Sequence, residues 1–219
     1  MPPNPRHPRS LNPPKVYAIV DAELCAAAGR TPVEVARAFL TGGARWIQLR
    51  CKSTGSGAFL DFAHVILEDT NSAGGTLIIN DRADIAALTA AHGLHVGQDD
   101  LAPADARTVI GAAPILGLST HTQAQWERAV EEPISYLAIG PVFGTGTKNT
   151  GYDAIGLETV RRAAQAASQK GLPTVAIGGI TLENAESVIE AGAGSVAVIS
   201  DLLKGDPEAR VRALLRILE

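Results

Sequence analysis

A chain of 219 residues, 46% of them hydrophobic, can bury one sizeable core, and its length suits one α/β barrel better than two small domains. Its formal net charge of −4 excludes the broad basic field of a nucleic-acid binder, and no apolar run approaches the roughly 20 residues that cross a membrane. Aromatic residues make up only 4%, which predicts an aliphatic core of Val, Ile, Leu and Ala.

The chain starts MPPNPRHPRSLNPPK. This stretch is proline-rich and lacks the apolar segment of a signal peptide, so residues 1–14 are expected to form a disordered arm in which His7 is solvated and idle. From residue 15 onward, strand and helix patterns alternate. KVYAIV at 15–20 reads as the first strand, and 31–42 as a helix with Thr31 as N-cap, Pro32 in its first turn and Gly42 as a stop. Strands follow at 44–50, 76–80, 93–97, 114–119, 135–140, 173–178 and 195–200. Helices are predicted at 57–72, 83–91, 103–110, 122–131, 157–170, 182–191 and 207–218. Eight short apolar runs separated by helices predict a parallel sheet. In this length they predict a single-domain (β/α)8 TIM barrel over residues 15–219.

In such a barrel, chemistry belongs at the C-terminal ends of the strands. Polar residues gather there: Gln48, Arg50 and Lys52 after the second strand, Asn80 and Asp81 after the third, and Gln98, Asp99 and Asp100 after the fourth. Ser119 and His121 follow the fifth, and a loop with Thr145, Thr147 and Lys148 follows the sixth. The last two strands end at TVAIGGIT (174–181) and SVAVIS (195–200), where Gly179 and Ser200 can offer N–H groups and a hydroxyl to a phosphate. Each residue has an ordinary alternative role, as an N-cap, a solvated charge or a steric glycine turn.

Strand alternation places Gln48 and Arg50 on one face, expected to point inward, where an Arg needs an anionic partner such as a polyphosphate. Asp81 and Asp100, at neighbouring strand ends, would repel unless a hard cation such as Mg²⁺ joined them. Cys25 and Cys51 form no metal-type spacing and suggest a reducing cytoplasm.

These motifs resemble the thiamine-phosphate synthase family. The resemblance is carried by QLRCK at 48–52, Asn80-Asp81, GQDD at 97–100, GLSTHT at 117–122, GPVFGTGTK at 140–148, GGI at 178–180 and VIS at 198–200. They run in order and leave only the proline-rich arm uncovered. The resemblance implies condensation of 4-amino-2-methyl-5-(diphosphomethyl)pyrimidine with a thiazole phosphate, assisted by Mg²⁺. It implies that Gln48, Arg50, Lys52 and Asn80 bind the pyrimidine diphosphate, and that Asp81 and Asp100 hold Mg²⁺. Ser119 and Lys148 would contact the pyrimidine substrate and its diphosphate. Thr145 and Thr147 would contact the thiazole phosphate from a flexible loop, and Gly179, Ile199 and Ser200 would bind its phosphate. Arg50, Lys52, Ser119 and Lys148 would serve catalysis, with no covalent nucleophile.

Cys51 departs from the family, which often has an acidic residue there, and Gly144 and Gly146 enrich the loop in glycine. The loop over 143–152 is expected to act as a lid. The alternative is the related branch that isomerises a thiazole carboxylate phosphate with a general base, for which His121 is the candidate. A sugar-phosphate epimerase or isomerase would explain Gly179 and Ser200 but not the paired aspartates beside Arg50 and Lys52. His64 and His92 read as structural, and His95 points opposite to its strand neighbours. Partners are expected to be small molecules, without nucleic acid or membrane. A homo-oligomer remains compatible with the sequence.

Overall fold

A computed structural model describes residues 11–144 and 151–219. Among these residues, eight parallel strands close into a barrel in sequence order. They are β1 (Val16–Asp21), β2 (Trp46–Arg50), β3 (Thr76–Asn80), β4 (Gly93–Val96), β5 (Ile115–Thr120), β6 (Tyr136–Ile139), β7 (Thr174–Ile177) and β8 (Ser195–Val198). Closure is made by β1 on β8, with Val16 opposite Val196 and Ala18 opposite Val198. The helices are α1 (Ala22–Ala27), α2 (Pro32–Thr41), α3 (Ser56–Ser72), α4 (Ala83–Thr89), α5 (Pro103–Ile110), α6 (Gln123–Ala129), α7 (Gly156–Gln169), α8 (Ala185–Glu190) and α9 (Pro207–Leu218).

Local chemistry accounts for several of these boundaries. Thr31 accepts from Glu34 N at 3.2 Å while its own N–H donates to Glu34 Oε2 at 2.7 Å, a reciprocal cap that starts α2. Thr122 and Gln125 repeat the arrangement at α6. Two elements escape the sequence pattern. Helix α1 is only six residues long and starts from the Asp21 side chain, which accepts from Leu24 N. A 3-10 turn at Ser200–Leu203 follows β8 directly. Both are too short to show a helical period.

Alternation along the strands divides the core into two shells. The outer shell, between sheet and helices, is aliphatic and includes Ile47, Leu49, Leu77, Ile79, Leu94 and Val96. The inner one departs from the expected aliphatic filling. It holds Tyr17, Trp46 and Tyr136 beside Ile19, Ile78, Ala138, Val175 and Ala197. The three aromatic rings pack with centroids 5.2–6.1 Å apart. Small neighbours make this room: a Cβ on Gly117 would lie 2.0 Å from the Tyr136 ring. Leu11 packs against the same inner cluster and Pro13 is buried, so the packed body takes in the end of the proline-rich segment.

His92, before β4, accepts the Leu77 N–H of β3 through Nδ1 at 3.0 Å. Burial lowers its pKa. The unfolded chain therefore binds the proton more readily, so this contribution to stability is full above the ordinary histidine value near 6.5 and declines as pH falls below it. Urea unfolding between pH 8 and 5 should show a steeper acid loss for the native chain than for His92→Gln, which can still accept from Leu77. Equal slopes would contradict this account.

Candidate active site

Inward-facing positions at the C-terminal strand ends meet in a cavity of about 200 Å³. Gln48, Arg50 and Lys52 reach it from β2 and the turn beyond, Asn80 and Asp81 from β3, Asp100 from the loop after β4, and Ser119 from β5. Seven of the eight residues expected at the diphosphate and metal end of the site, all but Lys148, thus share one space. A second cavity of about 100 Å³ adjoins it, lined by Gly179, Ile199 and Ser200 among others. Ser119, His121, Ile177, Ala197 and Ile199 border both cavities. Thr145, Thr147, Lys148 and most of the expected lid lie outside the described residues.

Arg50 and Lys52 are both ion-paired, Arg50 to Asp21 and Lys52 to Asp81. Asp100 accepts the Gly97 N–H at 2.8 Å. Burial raises the Asp100 carboxyl above the usual carboxylate range, and a hydrogen bond with Asp81 raises it further. The Asp81 and Asp100 carboxyl groups are thus in contact. Asp81 itself has φ +62°, in the left-handed region, where a non-glycine residue costs of order 1 kcal/mol or more. Its N–H donates to His95 O at 2.8 Å, which helps hold it there.

One donor of a cavity-lining residue lacks a partner among the described residues. Asn80 Nδ2 is buried and finds no acceptor among the described residues. A buried amide left so costs about 1–3 kcal/mol, which an incoming oxygen would recover.

Three residues that the sequence reading passed over, Asp21, Tyr17 and Glu23, prove important, as does His95, which it gave no role. Asp21 holds Arg50, and Tyr17 and His95 line the cavity floor. Glu23 Oε1 accepts from Lys52 N at 2.9 Å, Ser53 N at 2.7 Å and Ser53 Oγ at 2.8 Å, which fixes the turn carrying Lys52. Burial pushes the Glu23 carboxyl up, but the hydrogen bonds from Ser53 and Lys52 outweigh it and leave the pKa lowered. Alternation predicted the inward set on β2. It also set His95 opposite to its neighbours on β4; applied to β1 in the same way, it would have found Tyr17.

His121 Nδ1 lies 2.6 Å from Gly140 O, and its ring stacks on Tyr152 with centroids 4.3 Å apart. Cys51 turns into the outer core, where burial pushes its thiol up to about 12, so it is no nucleophile at neutral pH.

The second cavity is built from two strand-end turns. Gly179 has φ +64°, and a Cβ there would lie 2.7 Å from Gly144 O and 2.8 Å from Phe143 Cβ. The glycine is therefore demanded by the neighbouring backbone as well as by any anion. Asp201, nearly fully buried, ties the two turns together. It accepts Leu182 N at 3.0 Å from the turn after β7, bonds Arg210 of α9 at 3.0 and 3.1 Å, and pairs with Lys204 at 3.0 Å.

Truncating Asp201 to alanine would leave Arg210 facing a buried space. Arg210 is one-fifth exposed, so solvent offsets part of the loss, and the expected cost is about 2–3 kcal/mol. Urea unfolding of Asp201→Ala measures it. A change below about 0.5 kcal/mol, the range of an ordinary surface substitution, would mean that Asp201 does not hold the turns.

Comparison with known proteins agrees with this geometry. A family model described as thiamine monophosphate synthase matches residues 16–202. The thiamine-phosphate synthase of Koribacter versatilis is 42% identical over 210 residues, covering 95% of this chain and 97% of that protein. That of Roseiflexus castenholzii is 44% identical over 201 residues, covering 91% of this chain and 86% of that protein. A solved thiamine phosphate pyrophosphorylase from Pyrococcus furiosus superposes with a TM-score of 0.85 at 29% identity, over 98% of both chains. The chain belongs to the thiamine monophosphate synthase family, transferases of thiamine biosynthesis that release diphosphate.

Proposed function

We propose that the protein joins 4-amino-2-methyl-5-(diphosphomethyl)pyrimidine to thiazole phosphate, giving thiamine phosphate and diphosphate. The observation that carries this reading is the pair of adjoining cavities. One is lined by Arg50, Lys52 and an unpartnered Asn80 amide, and the other by the Gly179 and Ser200 turns. A diphosphate fits the first and a monophosphate the second, with the border at Ser119 and Ile199.

The donor set of the first cavity fits Mg²⁺. Asp81 and Asp100 are two hard oxygen ligands in mutual contact, a pairing that a divalent cation relieves. Among the described residues there is no group of three or more His, Cys, Asp or Glu able to hold a metal. The two carboxylates would therefore share the ion with substrate phosphate oxygens. When bound, Mg²⁺ would neutralise charge on the departing diphosphate.

The protein's own residues do the rest. Arg50 and Lys52 start in ion pairs with Asp21 and Asp81, so they are oriented before substrate arrives. Moving Lys52 from Asp81 to a phosphate oxygen frees the carboxylate. Asn80 donates its unpartnered N–H to the diphosphate. The 4-amino group of the pyrimidine pushes electrons toward the methylene carbon as the C–O bond breaks. The thiazole nitrogen, anchored by its phosphate at Gly179, Ile199 and Ser200, then attacks that carbon. Holding both substrates in adjoining spaces removes much of the bimolecular entropy cost. By resemblance, Thr145 and Thr147 contact the thiazole phosphate and Lys148 the diphosphate.

Incubation with both substrates and Mg²⁺ should yield thiamine phosphate and diphosphate in equal amounts. Chelation should stop turnover, and Asp100→Asn should lower kcat by about 10²-fold or more, the scale of losing one electrostatic stabiliser. Failure to form thiamine phosphate would overturn the reading. Full activity of Asp100→Asn would remove the metal assignment.

A further inference from the structure

The second cavity carries a cation that neither glycine turn supplies. Lys204 follows the 3-10 turn at Ser200–Leu203 and lines this cavity together with Ser200 and Asp201. Its N–H donates to Asp201 O at 3.2 Å, which sets it one 3-10 turn beyond Asp201 on the same side. Among the described residues it is the one lysine or arginine at this cavity. His121, which also borders the cavity, stacks on Tyr152 and lies with Nδ1 2.6 Å from Gly140 O.

The Lys204 side chain is 64% exposed, and its Nζ lies 3.0 Å from Asp201 Oδ1. Asp201 does not depend on that contact. Its carboxylate accepts the Leu182 N–H at 3.0 Å, and Arg210 binds both of its oxygens at 3.0 and 3.1 Å. Arg210 also reaches Glu183 Oε1 at 3.2 Å, so it is held between two carboxylates. If Arg210 left, a buried carboxylate would lose its principal partner, which is costly. If Lys204 leaves, Asp201 keeps the Leu182 N–H and the whole Arg210 fork. Of the two cations on Asp201, Lys204 is therefore the one that can be given to a ligand.

A phosphate monoester in this cavity brings negative charge close to Asp201. Backbone N–H groups give it directed hydrogen bonds but no net charge. An ammonium on a flexible four-carbon stem supplies that charge and can move to meet it. We infer that Lys204 is a specificity-determining residue of the second cavity, a charge anchor that leaves Asp201 for the phosphate of the incoming thiazole phosphate. The inference rests on the reading of the second cavity as the thiazole phosphate site and adds the counter-charge that the glycine and serine turns lack.

Steady-state kinetics with Mg²⁺ on the native protein, Lys204→Gln and Lys204→Arg test it at two ionic strengths. At low ionic strength, Lys204→Gln should raise the KM for thiazole phosphate about 3–5-fold, the scale of one exposed ion pair. The effect should be confined to that constant, with kcat and the KM for the pyrimidine diphosphate as in the native protein. In about 1 M potassium chloride, where screening acts within about 3 Å, the two KM values for thiazole phosphate should converge. Lys204→Arg should restore the native value at low ionic strength. An unaltered KM in Lys204→Gln at low ionic strength overturns the inference. So does a rise that persists undiminished in high salt or that Lys204→Arg fails to reverse, because the side chain would then act by packing and not by charge. A native protein that does not accept thiazole phosphate as its second substrate overturns the reading of the second cavity, and the inference with it.

Discussion

Closure of β1 on β8 governs everything else in this molecule. Once eight parallel strands form a ring, every second side chain must point into a space shared with seven other strands. Apolar residues can fill the lower part of that space, as Trp46, Ile78 and Val175 do. At the C-terminal ends the ring opens, and inward positions there become the walls of a cavity. The same alternation that puts Leu49 in the outer core puts Gln48 and Arg50 into that cavity. Fold and site are therefore one consequence of a period of two.

The electrostatics of the cavity follow from confinement. Arg50, Lys52, Asp21, Asp81 and Asp100 occupy a small, partly desolvated volume, where an unpaired charge is costly. They pair among themselves: Arg50 with Asp21, Lys52 with Asp81, and Asp100 against Asp81. A polyanionic substrate with a divalent cation can replace these pairings without adding net burial of unpaired charge. Such a site is preorganised for charge that leaves, which suits loss of diphosphate better than proton abstraction.

Much of this was legible in the sequence, for identifiable reasons. The eight strands were visible because each is a short apolar run bounded by turn residues. Gln48, Arg50, Asn80, Asp81, Asp100 and Ser119 were visible because polar residues at strand ends break those runs. Tyr17 and His95 were harder to see, since each lies within a strand among apolar neighbours and its inward direction matters only once the ring is closed. Asp21 and Glu23 were missed because the first strand was ended at 20 and the short helix α1 was not foreseen. Gly179 was found for an incomplete reason: the Phe143–Gly144 backbone also requires it. Asp201 lies just past the last strand, and nothing in its neighbours announces a link to Arg210 nine residues on.

The central claim is that two anions bind side by side, diphosphate among Arg50, Lys52 and Asn80, and a monophosphate at the turns bearing Gly179 and Ser200. A crystal structure with both products, thiamine phosphate and magnesium diphosphate, tests it most directly. The account predicts the free diphosphate in the first cavity and the ester phosphate of thiamine phosphate against the Gly179 and Ser200 N–H groups, with the aminopyrimidine between Gln48 and Ser119. Finding the ester phosphate on Arg50 and Lys52, or the diphosphate at the glycine turns, would contradict it.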